Sequence, residues 1–135
     1  MTYHLLDTDS LIDYLAGRPD TIALLQQLDV QGDTLCACDV VIAEVYSGLL
    51  QRDWSRGQAF LAGMTFLTTT PAMAQQAGEW RFSFARRGIS LPTTDCLIAA
   101  TAHGHQAIVV TGNVKDFPMQ EVRLLSTRTP RSGRN

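Results

Sequence analysis

A chain of 135 residues, 45% hydrophobic and 18% charged, suits one domain that buries roughly two-thirds of the surface its unfolded form exposes. That composition excludes a wholly disordered chain, and no apolar run approaches the roughly 18 residues of a membrane span. A net charge of −2, three cysteines (an odd number) and an N-terminus without the basic and apolar regions of a signal peptide lead to the expectation of a cytoplasmic protein.

The stretch Tyr3-His-Leu-Leu-Asp-Thr-Asp-Ser-Leu-Ile-Asp-Tyr-Leu15 reads as strand, acidic corner and helix. Leu5 and Leu6 suit a buried strand, Asp9 or Ser10 can cap the helix, and Leu11, Ile12 and Leu15 recur at helical spacing. Asp7 then stands at the carboxyl end of a strand, where open α/β sheets bind their ligands. Gly17-Arg-Pro19 stops that helix, and a second, starting at Asp20 or Thr21, carries Ile22, Leu24, Leu25 and Leu28 until Gln31-Gly-Asp33 ends it. Residues 34–37 predict a brief strand, with Cys36 and Cys38 on one face as small core residues rather than a zinc pair. From Asp39, placed as N-cap, a helix runs through Val41, Ile42, Val45, Tyr46 and Leu49. Glu44 lies at the edge of its apolar stripe, where that helix alone favours a plain surface glutamate.

Residues 54–63 predict another helix, 66–68 a short strand, and 71–87 a long helix opened by proline and closed by Gly88. A loop over 89–95 leads into a helix of small residues, Cys96, Leu97, Ala99, Ala100 and Ala102, with Asp95 in its first turn. Residues 107–110 form the purely apolar run of a parallel strand covered on both faces. That run ends in a second polar corner, Thr111-Gly-Asn-Val-Lys-Asp116-Phe. A last strand over 122–125 precedes a polar, Arg-bearing tail over 126–135 that is expected to fray. Strands alternating with helices imply one parallel α/β sandwich over residues 1–125, its crossovers right-handed.

If the two strands that end in acidic corners are neighbours, Asp7, Glu44, Asp95 and Asp116 converge. Like carboxylates at close range raise one another's pKa, and a divalent cation relieves the conflict. Oxygen-only ligands select Mg²⁺ or Mn²⁺ over zinc, and the chemistry needing such a site is phosphoryl transfer or phosphodiester cleavage by an activated water. Thr8, Thr111 and Asn113 supply hydroxyl and amide groups to orient the phosphate or a metal-bound water. Of eleven basic residues ten are Arg, the residue suited to forked phosphate contacts. Arg81, Arg86, Arg87 and Lys115 are the candidates for substrate binding, with solvated helix faces as the plainer alternative.

Four segments together, Leu-Leu-Asp7-Thr-Asp-Ser-Leu-Ile-Asp, Val-Ile-Ala-Glu44-Val-Tyr-Ser-Gly-Leu, Thr-Thr-Asp95-Cys-Leu-Ile-Ala-Ala-Thr-Ala and Val-Val-Thr111-Gly-Asn-Val-Lys-Asp116-Phe, resemble a PIN-domain ribonuclease of the VapC toxin type. The match covers nearly the whole chain in the family's order. It implies a five-stranded parallel sheet with the first strand central, and a Mg²⁺- or Mn²⁺-dependent endoribonuclease that cleaves RNA, often a structured RNA such as tRNA. Asp7, Glu44, Asp95 and Asp116 fall on the family's acidic positions, with Thr111 and Asn113 in its polar corner. Many relatives carry Asn where this chain has Asp9, which either binds metal through water or caps the helix. The resemblance also implies a homodimer and a cognate VapB-like antitoxin whose C-terminal segment occupies the cleft.

Other classes fit less well. Asp7-Thr-Asp9 and Val-Val-Thr111-Gly-Asn also resemble the first two motifs of haloacid-dehalogenase-type phosphatases, but too little chain follows Thr111 for the later lysine and acidic pair. A receiver domain should carry a phosphoacceptor Asp after its third strand, and Phe66-Leu-Thr-Thr-Thr70 has none. A binding-only domain with a silent acidic pocket is disfavoured by the presence of all four acids. His103 and His105 raise a histidine-based nuclease, although capping the end of their helix is the better expectation, and His4 reads as a core-facing strand residue. Trp80, Phe82 and Phe84 suit RNA stacking less than helix packing or a dimer surface.

Overall fold

The structure, a computed structural model, describes residues 2–128. Five short strands, β1 (Tyr3–Leu6), β2 (Thr34–Ala37), β3 (Thr65–Phe66), β4 (Ile108–Thr111) and β5 (Leu124–Ser126), form one sheet in the order β3-β2-β1-β4-β5. Every pairing is parallel, and β1 lies at the centre, with Leu5 opposite Cys36 on one side and Val109 on the other. This is the expected parallel α/β architecture, and it makes the two corner-bearing strands β1 and β4 direct neighbours. His4, Leu5 and Leu6 are all buried, because helices cover both faces of the central strand.

Six helices make the two outer layers: α1 (Thr8–Leu15), α2 (Pro19–Val30), α3 (Asp39–Gly48), α4 (Trp54–Ala62), α5 (Pro71–Arg86) and α6 (Thr93–Gly104). Their inward stripes supply Leu11, Val41, Val45 and Ile98, which join Leu5, Leu6, Val109 and Val110 in a core with almost no exposure. The pair α5 and α6 packs closely because α6 turns Ala99, Ala100 and Ala102 inward, against Ala77, Trp80 and Phe84 of α5. Trp80 and Phe84 are thus packing residues, whereas Phe82 stands 64% exposed. Gly88 ends α5 in the left-handed conformation at φ 80°, letting its own N–H reach Ala85 O and the N–H of Ile89 reach Phe84 O.

Several boundaries differ from the sequence expectation. The N-cap of α1 is Asp7, not Asp9 or Ser10, so the helix starts two or three residues earlier. Likewise α2 begins at Pro19 rather than at Asp20 or Thr21, and Asp39 is the first residue of α3 with Cys38 as its cap. The third strand occupies Thr65–Phe66 rather than 66–68, although the Leu67 N–H still bonds Ala37 O at 2.8 Å. The last strand ends at Ser126, and Thr127 beyond it is buried, its N–H donating to Thr111 O at 2.9 Å. The expected frayed tail therefore does not start at residue 126; its remainder, 129–135, lies outside the described residues. No described helix is long and apolar enough to cross a membrane.

Candidate active site

Asp7 is fixed by both β4 and α1. Its backbone N–H continues the β1–β4 pairing to Val110 O at 3.0 Å, and its carbonyl accepts the first helical bond, from Leu11 N at 3.2 Å. Its carboxylate caps α1 by accepting the Ser10 N–H at 2.9 Å, and the Ser10 and Thr111 side chains lie near enough to favour its charged form. The Ser10 hydroxyl in turn reaches Val110 O at 3.0 Å, and the fully buried Thr111 hydroxyl accepts the Asn113 N–H at 3.0 Å. Burial raises the Asp7 pKa above the usual 3.8; the Thr111 and Ser10 bonds pull against that, and the charge of Asp9 adds to it.

Glu44 is half-buried, not a free surface glutamate, and accepts the Thr8 hydroxyl at 2.5 Å. The contact depends on α1 and α3 approaching closely one turn further on, where a Cβ on Gly48 would lie only 3.2 Å from Ile12 Cδ1. Thr8 and Ile12 on one helix, and Glu44 and Gly48 on the other, share this face because each pair is four residues apart.

Asp95 sits half-buried in the first turn of α6, as expected, and its pKa is raised to about 6. Desolvation by burial is the largest cause, followed by the charges of Asp116, Asp7, Glu44 and Asp9. Four acids, two from the start of α1, one from α3 and one from the turn after β4, are thus close enough to act on one carboxyl group. Asp116, also half-buried, ends a single 3-10 turn (Val114–Asp116), held by its N–H to Asn113 O at 3.1 Å. Asn113 and Lys115 of the same corner are exposed, and Asp9 is exposed on α1.

The expected basic residues are less uniform. Arg81 Nε donates to Leu91 O at 2.9 Å, which ties α5 to the loop leading into Asp95. Arg86 lies over the Phe82 ring at 5.5 Å and Arg87 over the Phe84 ring at 4.4 Å, both at the far end of α5. His105 Nε2 meets Thr68 O at 2.8 Å at the end of α6, a tethering position, and His4 is buried on β1. The three cysteines are free and buried, and desolvation pushes the Cys36 thiol up to about 11, which suits core packing.

The donor set at the corner is carboxylate and hydroxyl oxygen, the chemistry that suits Mg²⁺ or Mn²⁺. Among the described residues no three His, Cys, Asp or Glu side chains form a ready-made ion cage. An open acidic corner fits Mg²⁺ in particular, which keeps several waters and needs only one or two carboxylates. Sequence reasoning had Ser10 only as a possible cap; its link to Val110 O across the strands needed the fold. Arg128, two residues past β5, was grouped with the tail although it stands beside the second corner.

A five-stranded parallel sheet with its first strand central and acids gathered at the carboxyl ends of β1 and β4 defines a PIN-type nuclease domain. The family model described as PIN domain matches residues 4–118, and the chain belongs to that family. Within it the chain is similar to VapC ribonucleases: it is 32% identical over 117 residues to Ribonuclease VapC19 of Mycobacterium tuberculosis, covering 85% of this chain and 92% of that protein. It is 25% identical over 134 residues to Ribonuclease VapC2 of Haemophilus influenzae, covering 96% and 97%. Among solved structures, VapBC2 from Rickettsia felis bound to a promoter DNA fragment aligns with a TM-score of 0.81 at 23% identity, covering 93% of this chain and 98% of that one. The fold is therefore that of the VapC ribonucleases.

Proposed function

We propose that this chain is a divalent-metal-dependent endoribonuclease, the toxin of a toxin–antitoxin pair, that hydrolyses phosphodiester bonds of a structured RNA. The observation that carries this reading is that β1 and β4 are direct neighbours, which brings their two acidic corners together beside Asp95, whose carboxyl is pushed up to about 6 by burial first and then by the charges of Asp116, Asp7, Glu44 and Asp9. Acids kept together at such a cost call for a cation. Asp7, Glu44, Asp95 and Asp116 would hold it, with Asp9 within reach through water. When bound, Mg²⁺ or Mn²⁺ supplies a water activated for attack on phosphorus and neutralises charge on the leaving oxygen.

The chain's own residues do the rest. Ser10 N aims the Asp7 carboxylate, and the Thr8 hydroxyl fixes one oxygen of Glu44, so neither acid must reorganise when the substrate arrives. Arg81, though exposed, holds the loop that presents Asp95. Asn113 and Lys115 are exposed on the rim, where an amide and a cation can meet a phosphate. Arg86 and Arg87 lie further along α5 and serve RNA only if it extends that far.

The choice of RNA as substrate and tRNA as a target class draws on relatives: the chain is 24% identical over 122 residues to a tRNA(fMet)-specific endonuclease VapC of Shigella flexneri. A VapB-like antitoxin as partner is supported by solved neighbours that are VapBC complexes, among them DNA-bound VapBC from Salmonella typhimurium at a TM-score of 0.80 and 22% identity; a homodimer is implied by the family resemblance alone. The test is cleavage of total RNA by purified protein with Mg²⁺ or Mn²⁺, with EDTA, and with Asp95→Asn. Metal-dependent cleavage lost in the variant is expected; equal cleavage by the variant would refute the site.

A further inference from the structure

Arg128 follows the last strand, yet its backbone and side chain are both anchored at the active corner. Thr127 N donates to Thr111 O at 2.9 Å and Arg128 N to Ser126 Oγ at 3.0 Å, so the chain past β5 stays beside the end of β4. The guanidinium then lies directly on Gly112, the residue between Thr111 and Asn113. A Cβ at Gly112 would stand 2.8 Å from Arg128 Cζ and Nη2 and 3.0 Å from Nη1, so a side chain there would displace the guanidinium. Nη1 donates to Asp13 Oδ2 at 3.1 Å and to Thr127 Oγ1 at 3.2 Å. Asp13 is one helical turn beyond Asp9 on α1, on the same face. Arg128 therefore spans the two corners that carry the acids.

Those bonds use both hydrogens of Nη1. Among the described residues Nε and Nη2 have no partner, and the side chain is 40% exposed. This leaves the edge of the guanidinium that forms paired, parallel bonds to phosphate oxygens. An acidic cluster repels a polyanion, so a nuclease needs a fixed cation at the rim to bring a phosphate beside the acids. Arg81 is engaged with Leu91, and Arg86 and Arg87 rest on their own helix. Arg128 is pinned at the corner itself by Asp13 and by the missing side chain of Gly112.

We propose that Arg128 is a substrate-binding residue whose Nε–Nη2 edge takes an RNA phosphate next to the scissile one, with Asp13 and Gly112 holding it in position. The proposal rests on the ribonuclease reading above. Its test is equilibrium binding, in EDTA so that nothing is cut, of a fluorescein-labelled single-stranded RNA of about 12 nucleotides, a length within the usual range for such sites. Wild type, Arg128→Gln and Arg128→Lys are each titrated at several salt concentrations, with folding checked by circular dichroism.

Loss of one phosphate contact should lower the salt slope of log K by about 0.7 in Arg128→Gln. Loss of a charge-assisted pair of bonds should weaken binding roughly tenfold or more. Arg128→Lys should restore the slope, since the charge remains, but not the full affinity. In metal-activated cleavage, Arg128→Gln should raise KM and leave kcat nearly unchanged. An unchanged slope in a folded Arg128→Gln protein, or failure of the wild type to bind the RNA, would overturn the proposal. Because the slope is read without metal, a wild type that binds but does not cleave, with the slope lost in Arg128→Gln, would sink the nuclease reading while leaving Arg128 as a contact to RNA phosphate.

Discussion

Asp95→Asn is expected to stabilise the metal-free protein while removing its activity. In the folded chain the Asp95 carboxyl keeps its proton up to about pH 6, against the ordinary 3.8 that applies once the chain unfolds. Below about pH 4 both states are protonated and the group costs nothing. Between about pH 4 and 6 only the unfolded state ionises, so stability falls as pH rises; above about pH 6 the whole cost is present. The gap corresponds to about 3 kcal/mol, which screening at a half-open site reduces to roughly 1–3 kcal/mol. Asparagine keeps the shape without the charge and escapes the cost. Its lost interaction with the α6 dipole, about 0.3–1 kcal/mol, works the other way and is smaller. Urea unfolding in EDTA across this pH range is the assay. The variant should gain on the wild type as pH rises and hold its advantage at alkaline pH, where its melting temperature should be several degrees higher. Adding Mn²⁺ should narrow the difference, because an ion bound by the folded wild type stabilises it by mass action. A variant less stable than the wild type at pH 8, or an offset that does not change with pH, would refute the raised Asp95 pKa and with it the cost of burying that carboxyl among the other acids.

Asp7→Asn should abolish RNA cleavage and leave a folded protein, since the amide oxygen can still accept the Ser10 N–H; a thermal melt beside a cleavage assay reads both, and retained activity would sink the assignment. Thr8→Val removes the hydroxyl that fixes Glu44, so metal-activated kcat should fall while stability drops by roughly 1–2 kcal/mol, measured by urea unfolding. Leu11→Ala empties a fully buried position between α1 and the sheet and should cost about 2–5 kcal/mol by the same measurement; a cost under 1 kcal/mol would mean the site collapses freely.

The alternation of strand and helix was legible because each strand is a short apolar run bounded by turn or cap residues. The 34–37 strand and the position of Asp95 in a first helical turn came out as expected. The cap of α1 did not. Asp7, Thr8, Asp9 and Ser10 are four consecutive residues that can all cap a helix, so local preference could not choose among them. The choice is made across the sheet, by the Asp7 N–H on Val110 O and the Ser10 hydroxyl on the same carbonyl. Glu44 was ambiguous for a similar reason: on its own helix it is an edge residue, and only the approach of α1 through Gly48 gives it Thr8 as a partner. Arg128 was hidden by composition, because its neighbours in sequence are polar while the bond that locates it, Thr127 N to Thr111 O, joins strands whose pairing the sequence does not print.

The strand order also sets a sequence of events in time. The central strand β1 is made first, but one of its two neighbours, β4, is made near the end, and Asp7 and Asp116 stand roughly 110 residues apart. At about 5–20 residues per second of synthesis, Asp116 emerges on the order of 5–20 s after Asp7. Through that interval Asp7 lacks Val110 O and Thr111, and no partial chain can assemble the acidic corner. A nascent chain, or a fragment ending before β4, is therefore expected to leave RNA uncut if the proposed acidic corner is the cleaving site.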